Sequence, residues 1–238
     1  MRVHRIYLAE LKAGDHVLTG REAHHLAHVL RVKPGAPLRA FDGRGLEAPG
    51  HVIGLEAGTV KLRLAEPVVR EVEPPLAITM AVALLKGDKL SPVIRMCSEL
   101  GVSNFKPALF ARGEVPGLSA GKLSRWRRVA VEAAKQSGRT VVPEVHELAR
   151  CEELMPQGLG LIADPGAQET VASVLNGLPQ RGGGGVTLVC GPEGGLTAAE
   201  VELLEARGFR AVSLGPRVLR AETAPVALVA AVLVPEGL

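Results

Sequence analysis

The chain has 238 residues, 47% of them apolar and only 3% aromatic, so its core is built from Leu, Val and Ala. The formal charge of +3 is uneven: residues 1–72 carry 11 Lys/Arg against 8 Asp/Glu and six of the seven His, while the remainder is balanced. Three cysteines without a CxxC pair argue against a disulfide framework or a zinc site, and the basic excess suits a polyanionic partner.

Residues 1–70 read as short strands with turns. Pro37 to Phe41 alternates and stops at Asp42-Gly43, and His51 to Ile53 and Thr59 to Leu64 follow, which is hairpin patterning. One helix, about Arg21 to Leu30, interrupts them. The expectation is a small β-barrel. His24 and His28 have the i, i+4 spacing of metal-binding helices, but HExxH is not matched and no third ligand accompanies them. No metal is expected. Glu71-Val72-Glu73-Pro74-Pro75 is the expected boundary, since two prolines cannot extend a ladder. The domains are therefore read as 1–70 and 76–238.

Beyond the boundary, strands and helices alternate. Strands are expected at Leu76–Leu85, Pro107–Ala111, Gly160–Ala163, Val186–Cys190 and Ala211–Leu214. Helices are expected at Leu90–Leu100, Leu123–Ser137, Gln168–Leu175, Thr197–Ala206 and Ala224–Val234. This order implies an α/β fold with a mainly parallel sheet. Arg181 to Gly185 reads as a flexible loop. The longest apolar run, Ala224 to Val234, is too short to span a bilayer, and the N-terminus lacks a signal-type stretch. A cytoplasmic protein with no membrane partner is expected.

Two loops carry the chemistry. Gly191-Pro192-Glu193-Gly194-Gly195 follows the Val186–Cys190 strand and precedes a helix opened by a capping box, Thr197 with Glu200. Glycines at a strand's C-terminal end let a ligand approach main-chain N–H groups. The GK[ST] ending of a phosphate loop is missing, so a di- or triphosphate is disfavoured. The second loop, Leu214-Gly215-Pro216-Arg217-Val218-Leu219-Arg220-Ala221-Glu222-Thr223-Ala224, also runs from strand to helix. Thr223 is expected to cap the last helix, with Pro225 in its first turn. On the helix starting at Leu123, positions Arg125, Arg128, Glu132, Lys135 and Arg139 form one mostly basic stripe that could track phosphates.

These two loops together resemble the SPOUT class of methyltransferases, and more narrowly the RsmE family, which methylates N3 of a uridine in small-subunit (16S) ribosomal RNA. His24 to Gly45, Lys86 to Val102 and Glu132 to Val145 resemble the family's remaining motifs. The stretch Ala111-Arg112-Gly113-Glu114-Val115 departs from the Glu-Arg-Ser type usual there. The resemblance implies a SPOUT-type trefoil-knotted C-terminal domain, a PUA-like N-terminal barrel that docks RNA, S-adenosylmethionine as methyl donor and a homodimer acting on the small ribosomal subunit. It implies donor contacts from Ile162, Ala163, Cys190, Gly191, Glu193, Gly195, Leu214, Gly215, Leu219, Thr223 and Ala224, and RNA contacts from Gln136 and Arg139, which match a family motif; Lys86 and Arg128 are further RNA candidates, as are His25 and Arg31, which either face RNA or simply pack the helix.

The reaction itself sets further demands. Uracil N3 is protonated at neutral pH and lies on the Watson–Crick edge, so the base must be unpaired or flipped. Its proton must leave, which calls for a base or for positive charge beside the developing anion. Arg220 is read as the stabiliser of the uracil oxygens, with Glu222 or Asp164 as base; alternatively Glu222 only holds Arg220. Two other functions fit the two-loop site: a different SPOUT activity (ribose 2′-O or tRNA base methylation), and a non-catalytic RNA-binding assembly factor.

Overall fold

A computed structural model describes residues 3–56, 58–176 and 184–234. Arg181 to Gly183 of the expected flexible loop lie outside them. The chain divides into two compact units. One comprises Met1–Glu73 with Ala134–Val142, the other Pro74–Ala133 with Pro143–Leu238. The division falls inside the Glu71–Pro75 segment, but it also assigns a short internal stretch, 134–142, to the N-terminal unit.

The N-terminal unit contains β1 (His4–Tyr7), β2 (Gly14–Leu18), α1 (Gly20–His24), β3 (Pro37–Phe41), β4 (Leu46–Glu56), β5 (Thr59–Leu64) and β6 (Val68–Val69). Its sheet runs β1-β3-β4-β5-β2, with β6 on β4. Alternation buries Leu38, Ala40, Val52, Val60, Leu62 and Leu64 with Ile6 and Leu26 in one core. The β3–β4 turn is built by Asp42, whose Oδ1 accepts the N–H groups of Arg44 (2.7 Å) and Leu46 (3.0 Å). Helix α1 continues as a π-turn over His25–Val29, closed by Leu30 N–H on His25 O at 2.9 Å. Just after it, Arg31 adopts φ 51°.

The second unit contains β7 (Ile78–Ala83), α2 (Leu90–Leu100), β8 (Asn104–Leu109), most of α3 (Ala120–Ser137), β9 (Glu144–Val145), β10 (Ala149–Arg150), β11 (Leu159–Ala163), α4 (Val171–Asn176), β12 (Val186–Cys190), α5 (Ala198–Glu205), β13 (Phe209–Val212) and α6 (Ala224–Leu233). The strand order is β10-β8-β7-β12-β11-β13, with β9 also on β8, and every pairing is parallel. Strands β7 and β12 are buried along their whole length, as central strands of a two-sided parallel sheet must be. Helix α2 ends at Gly101, φ 111°, where a left-handed residue closes the helix. The three cysteines are buried and unpaired, and burial raises the Cys97 thiol to about 12 and that of Cys151 to about 11.

Two expectations are corrected. Thr223 stands at the N-cap position of α6 but makes no side-chain cap bond, because its backbone is already helical (φ −91°, ψ −38°). The expected basic stripe on α3 is also broken. Lys135 is buried against Glu22 (2.8 Å), and Arg139, just past the helix, is buried against Glu73 (2.6 Å). Glu73 also accepts the N–H groups of Thr140 and Val141. A guanidinium used this way holds residues 139–141 to Glu73 and is withdrawn from phosphate binding. Arg125 and Arg128 remain exposed, the former paired to Asp88 at 2.5 Å.

Candidate functional site

In a parallel sheet, the loops leaving neighbouring strands gather at one edge. Here β11, β12 and β13 deliver Ala163–Pro165, Cys190–Leu196 and Leu214–Ala224 to a single cavity of about 690 Å³. The volume lies within the range typical of small-molecule sites.

The wall after β12 is a tight turn, with Gly195 N–H donating to Pro192 O at 2.9 Å. Gly195 has φ 70°, which favours glycine. A Cβ on Gly191 would stand 3.0 Å from Leu196 Cγ and 3.3 Å from the Gly195 carbonyl carbon, so a side chain there would fit only if Leu196 and the turn gave way slightly. The capping box behind it forms as expected. Thr197 Oγ1 accepts Glu200 N–H (3.2 Å) while Glu200 Oε2 accepts Thr197 N–H (2.8 Å).

The wall after β13 turns at Gly215, φ 105°, beside Ser213, whose Oγ accepts Gly215 N–H at 3.2 Å. Val218 and Arg220 then project outward. The Arg220 side chain is 84% exposed and that of Glu222 is 26% exposed, with 3.9 Å between Nη1 and Oε1. This distance exceeds a hydrogen bond. Glu222 therefore pairs with Arg220 through charge at this distance, without a hydrogen bond. Asp164, on the third wall, is more committed: its Oδ1 accepts Gly166 N–H at 2.9 Å.

All three candidate catalytic residues thus line one cavity, as do Ala163, Cys190, Gly191, Glu193, Gly195, Leu214, Gly215, Leu219 and Ala224. Ile162 and Thr223 do not line it; Ile162 is fully buried in β11. Of the RNA candidates, Arg31, Lys86, Arg128 and Gln136 are exposed, His25 is half-buried and Arg139 is buried. Lys86 pairs with Glu114 at 2.5 Å, a contact that raises its pKa.

Lys89 and Arg112 also line the cavity, though the sequence reading gave neither a role. Lys89 donates to Glu193 Oε1 at 3.2 Å. Partial burial opposes ionisation of Glu193, yet hydrogen bonds from its own backbone N–H and from Lys89 hold its carboxyl below the usual range. Arg112 Nη1 donates to the carbonyls of Gly194 (3.1 Å) and Leu196 (3.2 Å). The signal for both was positional: Lys89 stands in the loop leaving β7, the neighbour of β12, and Arg112 in the loop leaving β8, the next strand out. No group of three or more potential metal ligands occurs among the described residues, and no described helix is long and apolar enough to cross a membrane.

Residues 72–233 match the family model of an RNA methyltransferase domain, and residues 18–65 match that of an RNA methyltransferase PUA domain. The chain belongs to the RNA methyltransferase family of ribosomal RNA small subunit methyltransferase E. The Synechocystis protein of that name is 36% identical over 221 residues, covering 90% of this chain and 71% of its own. The Bacillus subtilis protein is 32% identical, covering 90% and 88%. A crystal structure of the Neisseria gonorrhoeae enzyme bound to S-adenosyl methionine superposes with a TM-score of 0.89 at 30% identity, over 98% of each chain. The fold class is the expected one, a SPOUT-type α/β domain with a mainly parallel sheet and an N-terminal PUA-type unit.

Proposed function

We propose that this chain transfers a methyl group from S-adenosylmethionine to N3 of a uridine in small-subunit ribosomal RNA, acting as a homodimer on the assembled particle. The observation that carries the reading is the single cavity that brings the glycine turn, Asp164, Arg220 and Glu222 together. The family's names supply the substrate class.

The cavity fits the donor chemically. Its walls are largely main chain and apolar side chains, with a glycine turn that leaves backbone groups accessible and no phosphate loop. Gly191, Glu193, Gly195, Leu214, Gly215, Leu219 and Ala224 would hold it. S-adenosylmethionine supplies an electrophilic methyl group with its leaving group built in. The protein's own task is then to deal with the uracil. Arg220, exposed at the mouth and not hydrogen-bonded to Glu222, suits the stabilisation of negative charge as N3 loses its proton. Glu222 suits the role of base better than Asp164, one of whose oxygens already accepts Gly166 N–H. His25, Arg31, Lys86, Arg128 and Gln136 are the proposed RNA contacts.

Helix α6 supports the homodimer. It has no charged residue, one face is buried, and Val226, Ala227, Ala230 and Ala231 on the other remain half-buried. A helix apolar all round needs cover on both faces. Ala230→Glu is expected to give a monomer in light scattering; an unchanged dimer argues against α6 as the interface.

The function is tested by incubating the protein with methyl-labelled donor and small subunits from a strain lacking the gene. Label on a single uridine N3 is expected. Label on a ribose, or none, overturns the reading. Naked rRNA run alongside is expected to be the poorer substrate.

A further inference from the structure

The segment Ala111–Val115, where the chain departs from the family pattern, is tied to the cofactor wall at two points far apart in sequence. Ala111 N–H donates to Glu200 Oε1 at 2.6 Å. The other oxygen of this buried carboxylate holds the N–H and Oγ1 of Thr197, at the start of α5. One residue on, Arg112 Nη1 bridges the carbonyls of Gly194 and Leu196. Its stem lies close over the turn: a Cβ built on Gly194 would stand 3.1 Å from Arg112 Cβ. Further links join the same loops, Lys86 to Glu114 and Lys89 to Glu193. The loops after β8, β7 and β12, three adjacent parallel strands, are thus laced together at one sheet edge.

We propose that Arg112 is a positioning residue for the methyl-donor turn. It acts through the main chain, by holding the Gly194 and Leu196 carbonyls outward so that Gly191–Gly195 keeps the shape the donor needs. A glycine-rich turn has many accessible conformations, and fixing it before binding lowers the entropy lost when the donor arrives. The charged donor makes both hydrogen bonds stronger than neutral ones. The inference rests on the proposal that the cavity binds S-adenosylmethionine.

Arg112 is exposed, so its replacement leaves the core intact. Calorimetric titration of the wild type, Arg112→Ala and Arg112→Lys with S-adenosylmethionine and with methylthioadenosine separates the possibilities. Methylthioadenosine lacks the donor's carboxylate and amino group. Loss of two charge-assisted hydrogen bonds is expected to weaken both ligands about tenfold in Arg112→Ala, with partial recovery in Arg112→Lys and RNA affinity held within about twofold. Weakening of S-adenosylmethionine alone would make Arg112 a direct contact of the carboxylate and overturn the positioning role. Unchanged affinity for both ligands, or a loss confined to RNA binding, also overturns it. If the wild type binds neither ligand, it is the underlying functional reading that fails.

Discussion

Replacing Arg220 by alanine is expected to lower kcat by about two to three orders of magnitude while donor affinity stays within about twofold. The argument is one of charge. In the proposed reaction the methyl group can move to N3 only as the N3 proton leaves, and the negative charge then spreads onto the flanking carbonyl oxygens. A guanidinium donates from several N–H groups and stays protonated at any pH the enzyme meets. Arg220 lines the cavity, and its ion-pair partner, Glu222, stands 3.9 Å away. In the free protein it is therefore exposed and available to an incoming base. Because its role begins when charge develops, the loss belongs in kcat and not in the Kd of S-adenosylmethionine. A single-turnover assay on small subunits measures it. A rate within about threefold of wild type would remove Arg220 from the mechanism. Glu222→Gln and Asp164→Asn, assayed alongside, assign the base: the larger loss is expected for Glu222→Gln, since Asp164 Oδ1 is already occupied by Gly166 N–H.

The cavity wall after β12 was legible because each of its parts has a local cause. A five-residue apolar run makes β12, glycines make the turn, and Thr197 with Glu200 makes the cap that launches α5. None of these requires knowledge of a distant residue. Other parts were decided at long range. The residues after β13 bend away earlier than expected because pairing with β11 sets the register, Phe209 opposite Gly160 and Val212 opposite Ala163. Glycine at 160 makes room: a Cβ there would stand 2.6 Å from the Phe209 ring. Strand β1, only four residues long, owes its existence to parallel pairing with β3. Lys135 and Arg139 show the limit of periodicity. Their spacing fits a solvated helix stripe, but Glu22 and Glu73, over 60 residues away in sequence, bury both. Arg112 was missed for a similar reason, since its carbonyl partners lie 82 and 84 residues further on.

The same long-range logic makes Glu47 the most vulnerable position of the N-terminal unit. Its carboxylate is 1% exposed and receives three arginines: Arg5 Nη2 at 2.8 Å, Arg39 Nη1 at 2.7 Å and Arg70 Nη1 at 3.4 Å. Arg5 lies over the Phe41 ring, 4.7 Å from its centroid, and also donates to the carbonyls of Ala134 (3.1 Å) and Arg139 (3.0 Å) at the end of α3. Removing one partner of a buried ion pair strands the other, and Glu47→Ala is expected to cost about 3–5 kcal/mol. Burial opposes ionisation of Glu47, but hydrogen bonds and charge from Arg39 and Arg5 outweigh it and hold the carboxyl below its ordinary value of 4.5. A depressed carboxylate stabilises the fold fully above its unfolded value, and that contribution disappears as pH falls through the folded one. The urea midpoints of wild type and Glu47→Ala should therefore be far apart at pH 7 and draw together as the pH is lowered through and below 4.5. A gap that does not narrow anywhere on the acid side, down to the pH at which the wild type itself unfolds, would mean that the carboxylate's charge contributes nothing. The variant would then be losing packing volume alone, and the buried arginine would have found another partner.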